Sequence, residues 1–222
     1  MKNIKPILHN YSSLFFDLDG TLTDSGPGII NSVKYALNYY GIEEKDHEKL
    51  KLFIGPPLVD SFMELYGFSN EKAHEAMAKY REYFSVKGIL ENSVYNGIYD
   101  LLQKLKDSGK KLYIATGKPE IYLTRILKIF DLEKYFIFAG GSDLEETRSQ
   151  KYQIIDYVIK SSNLEMEARE QKILMIGDRK HDIIGAKKNS IHSCGVLWGY
   201  GSEEELKENG ADYIVKNPSD LL

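Results

Sequence analysis

Two aspartates one residue apart, Asp17 and Asp19, stand just before a glycine in the run Asp17-Leu18-Asp19-Gly20-Thr21. In extended backbone, positions i and i+2 face the same side, and Gly20 lets the chain turn sharply after them. Two carboxylates in one small pocket repel unless a cation or a proton neutralises one, so the pair calls for a divalent metal or a shared acid–base task. A third acid, Asp178, occurs in Gly177-Asp178-Arg179-Lys180-His181-Asp182. Three converging carboxylates are hard oxygen ligands of the kind that suits Mg²⁺. An EF-hand reading fails, because that loop has its glycine at the sixth position between helices, whereas here it is fourth and a strand precedes it. A further polar group, Ala115-Thr116-Gly117-Lys118, offers a hydroxyl, backbone amides and a lysine.

These residues must be positioned by the elements around them. Short β-branched and aromatic runs alternate with helical periodicity, the pattern of βα units and a parallel sheet. The pattern predicts strands at Ser12 to Asp17, Lys111 to Thr116, Phe136 to Ala139, Lys172 to Gly177, Ser193 to Trp198 and Asp212 to Val215. Ligands of open parallel sheets bind beyond the C-terminal ends of the strands, which is where the three polar groups fall. Pro119 to Phe130 reads as a helix started by proline, with Leu123, Ile126, Leu127 and Phe130 on one face. Between Ser25 and Ser93 there are helical stripes and no convincing strand, so this stretch reads as an inserted helical domain. Its stripes end before Gly41 and Gly88, each placed as a helix C-terminus. The expected division is 1–24 with 94–222 as an α/β core, and 25–93 as a helical cap.

With 29 Lys and Arg against 33 Asp and Glu, the chain of 222 residues has a formal charge of −4, which argues against a nucleic-acid binder. Hydrophobic residues at 42% suffice for a packed core. No apolar run spans a bilayer, and Met1 to Tyr11 lacks a signal peptide's apolar stretch, so the expectation is no membrane and a cytoplasmic location. The single cysteine, Cys194, has no partner for a disulfide or a CxxC site and reads as core. The five histidines show no HExxH spacing, and neither GxGxxG nor GxxxxGK[ST] occurs. His181 reads as a solvated histidine at a helix start.

The ordered set Asp17-Leu18-Asp19-Gly20-Thr21, strand-terminal Thr116, downstream Lys151 and Gly177 to Asp182 resembles the four motifs of the haloacid dehalogenase superfamily, over essentially the whole chain. Gly55-Pro56-Pro57-Leu58 and Gly195 to Gly201 resemble the branch of phosphoglycolate phosphatases and 5'-nucleotidases. The resemblance implies a Rossmann-like core with a helical cap and Mg²⁺-dependent hydrolysis of a small phosphorylated metabolite. It implies Asp17 as nucleophile, Asp19 as acid–base, and Thr116, Gly117 and Lys151 as phosphate-binding groups. The metal would be held by Asp17, the Asp19 carbonyl and Asp178, with Asp182 acting through a metal water or by orienting Lys151. Lys118 competes with Lys151 for the phosphate-facing role. Gly55, Pro56 and Pro57 are the candidate substrate-selecting loop, with Ser25 and Asn31 behind them. Two alternatives accompany this expectation: a phosphomutase of the β-phosphoglucomutase type, and a non-catalytic regulatory or scaffold protein of the same fold. Against the latter, Asp17, Asp19, Thr116, Lys151 and Asp178 are all chemically competent.

Overall fold

A computed structural model describes residues 8–144 and 147–222. The reading of Met1 to Tyr11 as free of a leader falls largely outside the described residues. The elements run β1 (Ser13–Phe16), β2 (Thr23–Asp24), α1 (Gly26–Tyr39), α2 (His47–Lys51), α3 (Leu58–Tyr66), α4 (Asn70–Phe84), β3 (Ser93–Val94), α5 (Ile98–Asp107) and β4 (Lys111–Pro119). They continue with α6 (Glu120–Ile129), β5 (Phe138–Ser142), α7 (Lys151–Ser161), α8 (Glu165–Arg169), β6 (Ile173–Gly177), α9 (Lys180–Lys188), β7 (His192–Val196), α10 (Glu203–Glu208) and β8 (Tyr213–Val215). The chain forms two compact units: one ends at Thr23 and resumes from Val94 to Leu222, and the other is Asp24–Ser93.

In the first unit, β1 is apolar on both faces, as a strand covered from both sides requires, and Leu14, Phe15 and Phe16 are fully buried. It lies inside a parallel sheet of order β5-β4-β1-β6-β7-β8. Phe15 stands in register with Tyr113 and with Met175. That row shares one buried cluster with Ile154, Ile155 and Val158 of α7 and Ala186 of α9. The packing therefore fixes α7 and α9, the helices that carry Lys151 and Asp182, against the same strands whose ends carry Asp17 and Asp178. The α/β class with a parallel sheet is the expected one.

The strand limits differ from the expectation in two places that matter. β4 continues through Thr116 to Pro119, because its pairing with β5 shifts: Ala115 is opposite Gly140, whereas Pro119 is opposite Ser142. Four steps on one strand thus match two on the other, and Thr116-Gly117-Lys118 bulges out of the ladder. β5 begins at Phe138, since the residues before it form a 3-10 turn at Glu133–Tyr135. A side chain on Gly141 would meet the Lys118 carbonyl at 2.4 Å, so only glycine admits the bulge at this distance. β7 stops at Val196, and Trp198 instead donates from Nε1 to the Thr21 carbonyl at 2.9 Å. Pro119 precedes α6 as its N-cap and is not its first residue.

The second unit is built from α1 to α4. Gly41, with φ +73°, follows the C-cap of α1 as its periodicity predicts. Gly88 does not close α4, which ends at Phe84, but opens a 3-10 turn at Gly88–Leu90. Gly88 is glycine for packing, since a Cβ there would approach Ser32 Oγ to 2.6 Å and the Gly28 carbonyl to 2.9 Å. Gly55, with φ +109°, and Pro56 lead into Pro57, the N-cap of α3. Among the described residues, no helix is long and apolar enough to cross a membrane.

Candidate functional site

Asp17 follows the last residue of β1 and is 6% exposed. Its Oδ1 accepts from the Leu18 N–H at 2.8 Å and pairs with Lys151 Nζ at 2.8 Å. Both contacts fall on one oxygen, Oδ1. Burial, opposed by Lys151 and assisted by Asp182, raises the Asp17 carboxyl from 3.8 to about 6.

Lys151 is the first residue of α7, after the Gln150–Gln153 capping box. Its side chain runs past Gly185, where a Cβ would stand 2.8 Å from Lys151 Cγ. Nζ also pairs with Asp182 Oδ1 at 2.8 Å and donates to the Ala115 carbonyl at 3.1 Å. Burial alone would depress this ammonium, but the charges of Asp17 and Asp182 and their hydrogen bonds outweigh it and hold Lys151 protonated.

Asp178, fully buried after β6, accepts from the Tyr200 N–H on Oδ2 at 2.8 Å and from Thr21 Oγ1 on Oδ1 at 3.4 Å. Burial, then the charges of Asp182 and Asp17, push its carboxyl well above the usual range. Three glycines wall it in. A Cβ on Gly20 would lie 2.2 Å from Asp178 Oδ2, one on Gly199 2.4 Å from Asp178 Cβ, and one on Gly201 1.9 Å from the Asp178 carbonyl. Carboxylate oxygens of Asp17, Asp178 and Asp182 lie within 4.8 Å of one another. Buried acids this close, two of them with raised pKa, suit a hard divalent cation such as Mg²⁺. Asp182 is closer to the carboxylate cluster than a purely outer role suggests, yet both its oxygens are engaged: Oδ1 by Lys151 and Oδ2 by the Arg179 N–H at 3.1 Å. These contacts tie Asp182 to Lys151 and to the start of α9, and both oxygens of Asp178 are likewise engaged, by Tyr200 and Thr21. Gly177 makes this possible, because a Cβ there would overlap Asp182 Cγ at 2.1 Å.

The Asp19 side chain stands apart from the cluster of Asp17, Asp178 and Asp182. It pairs through Oδ2 with Lys118 Nζ at 2.9 Å, with Lys118 5% and Asp19 12% exposed at the side chain. The two lysines that the sequence offered for one task thus divide between two aspartates. Thr116 is buried, and its Oγ1 accepts from the Lys118 N–H at 3.2 Å, which leaves the hydroxyl proton to donate elsewhere. Gly117 is exposed at the tip of the bulge, its carbonyl accepting from Ser142 Oγ at 2.8 Å. His181 is not solvated as expected: its Nε2 is buried, and burial with the nearby Arg179, Lys151 and Lys180 lowers it to about 4, so the ring is neutral. Gly55, Pro56, Pro57, Ser25 and Asn31 all lie in the helical unit, where Asn31 Nδ2 donates to Glu91 Oε2 at 2.9 Å. Gly199, Gly201, Tyr200 and Trp198 are the site residues that motif reasoning passed over. Their signal was the glycine spacing in Gly195 to Gly201, which marks close backbone approach.

The family model described as haloacid dehalogenase-like hydrolase matches residues 14–196. A 5'-nucleotidase of Pseudomonas aeruginosa is 45% identical over 197 residues, 89% of this chain and 87% of that protein. The tyrosine-protein kinase PtkA of Mycobacterium tuberculosis is 35% identical over 209 residues, 94% of this chain and 67% of that one. Among solved structures, a predicted phosphatase from Clostridium acetobutylicum superposes with a TM-score of 0.91 at 48% identity, over 95% of this chain and 96% of that one.

Proposed function

The chain belongs to the haloacid dehalogenase-like hydrolases and is an enzyme of that family, and we propose that it is a Mg²⁺-dependent phosphomonoesterase of small metabolites, with nucleoside 5'-monophosphates as the first class to test. The observation that carries this reading is the pair of aspartates two residues apart, each held by its own buried lysine, at 2.8 Å for Asp17 and 2.9 Å for Asp19.

In the first half-reaction, the Asp17 carboxylate attacks phosphorus, the bond from phosphorus to the ester oxygen breaks, and Asp19 gives that oxygen its proton. In the second, water attacks the aspartyl phosphate, Asp19 takes the water's proton, and Asp17 is released with inorganic phosphate. Lys151 holds Asp17 in place and offers positive charge to the phosphoryl oxygens, to which Thr116 donates its hydroxyl and Gly117 its N–H. Asp17 and Asp178, with the Asp19 carbonyl, would hold Mg²⁺, which neutralises charge on the phosphoryl group when bound. Substrate choice is assigned to the helical unit, with Gly55, Pro56 and Pro57 the first positions to vary. A single cysteine, free and buried, is in keeping with a reducing cytosol.

The identity with a named tyrosine kinase supports a second reading in which a hydroxyl replaces water as acceptor, as it would in a phosphomutase. Phosphate release from nucleoside monophosphates, phosphoglycolate and sugar phosphates, with Mg²⁺ or with chelator, separates these. Release that depends on Mg²⁺ and falls by about 10⁴-fold in Asp17→Asn is the expected result. Turnover surviving in that variant, or indifferent to chelator, sinks the proposal. Phosphate found on an added hydroxyl acceptor instead of in solution selects the second reading.

A further inference from the structure

The bulge in β4 does more than carry Thr116. It turns Lys118 inward, so that its side chain is almost completely buried with Nζ 2.9 Å from Asp19 Oδ2. The backbone of Lys118 is itself fixed on two sides, its N–H on Thr116 Oγ1 and its carbonyl against Gly141. Asp19 Oδ1 is buried and has no hydrogen-bond partner among the described residues. One oxygen of this carboxyl is therefore pinned by the ammonium and the other is buried without a partner, whereas an unpinned carboxyl would rotate and exchange the two.

We infer that Lys118 is a positioning residue for Asp19: by holding Oδ2 it fixes the orientation from which the carboxyl hands its proton to the departing ester oxygen. This rests on the reading of Asp19 as acid–base. It gives the two buried lysines separate tasks, Lys151 on the nucleophile and Lys118 on the proton carrier. General acid assistance of this kind contributes about 10²–10⁴-fold, and only where the leaving group needs a proton.

The test compares kcat/KM for an alkyl phosphate, whose leaving oxygen needs protonation, with p-nitrophenyl phosphate, whose leaving group departs as a stable anion. Lys118→Met is expected to lower the alkyl value by about 10²-fold or more and the aryl value by less than about tenfold. Lys118→Arg restores much of the alkyl rate, and inhibition by inorganic phosphate stays the same. Asp19→Asn, run alongside, is expected to show the same dependence on leaving group. Equal losses on both esters with weakened phosphate inhibition would make Lys118 a phosphate ligand and overturn the inference. Equal losses with unchanged inhibition and a lowered Tm would make it merely structural, again overturning it. If Asp19→Asn discriminates between the esters and Lys118→Met does not, the inference falls while the reading of Asp19 stands. If Asp19→Asn itself fails to discriminate, both fall. Should Lys118→Met not fold, Lys118→Gln carries the same comparison, since it keeps a hydrogen bond but not the charge.

Discussion

Gly199→Ala tests whether backbone packing, rather than any side chain of the loop after β7, sets the position of Asp178. Gly199 has no positive φ, so alanine faces no conformational barrier there and the effect is one of contact alone. The added Cβ would stand 2.2 Å from the Gly20 carbonyl oxygen, 2.4 Å from Asp178 Cβ and 2.5 Å from Asp178 Oδ2. Each is at least about 1 Å inside ordinary carbon contact. None of these atoms belongs to a flexible side chain that can swing away, so either the loop or Asp178 must move. Movement of either stretches the 2.8 Å bond from the Tyr200 N–H to Asp178 Oδ2. Overpacking of this kind costs about 1–3 kcal/mol, which for a chain of this size lowers Tm by about 2–12 °C. Loss of the group that orients a metal carboxylate typically costs about 10–100-fold in metal affinity. Thermal unfolding and a Mg²⁺ titration by calorimetry, with activity against Mg²⁺ concentration, measure the two effects separately. A Tm within about 1 °C of the parent, with Mg²⁺ affinity within about twofold, would refute the packing argument.

Two further outcomes follow from the charges of the site. The Asp17 carboxyl is raised from 3.8 to about 6, so its contribution to stability is fully present below about 3.8 and is lost as pH rises through about 6. Without metal, the folded state therefore carries the carboxylate penalty at neutral pH, and Mg²⁺ at about 100 times its Kd should return about 2.7 kcal/mol, raising Tm by about 5–11 °C. The gain should be smaller at about pH 5, where protons compete, and a gain independent of pH would contradict the raised carboxyl. Lys151→Met leaves Asp17 and Asp182 buried without their cation, at a cost of about 3–5 kcal/mol or about 6–20 °C in Tm. Acidification to about pH 5 should recover part of that loss by protonating Asp17, and a loss under about 2 °C at neutral pH would show that the ion pairs do not hold the site together.

Much of the architecture was legible because local rules and the global fold agree. Leu14-Phe15-Phe16 is apolar on both faces, and only a strand inside a covered parallel sheet can use such a run. The stripes ending at Gly41 and Phe84 have helical periodicity and no strand alternation, and they form α1 and α4. The acids were legible too, because chemistry that needs two carboxylates at i and i+2 before a turn leaves few other uses for Asp17-Leu18-Asp19-Gly20. Where the chain departed from expectation, contacts distant in sequence decided the outcome. Gly88 ends no helix, because its small size is required by Gly28 and Ser32 rather than by its own backbone. The bulge after Ala115 depends on Gly141 leaving room for the Lys118 carbonyl and on Ser142, which donates to the Gly117 carbonyl from 25 residues along the chain. Asp178 is held by Gly20 and Gly199, which neither local propensity nor periodicity relates to each other. Lys118 and Lys151 have the same charge and the same flexible stem, and composition and spacing give either one a claim on either aspartate. The pairing is a property of the tertiary structure alone: a shift in strand register turns Lys118 toward Asp19, and the packing of α7 beside Gly185 delivers Lys151 to Asp17.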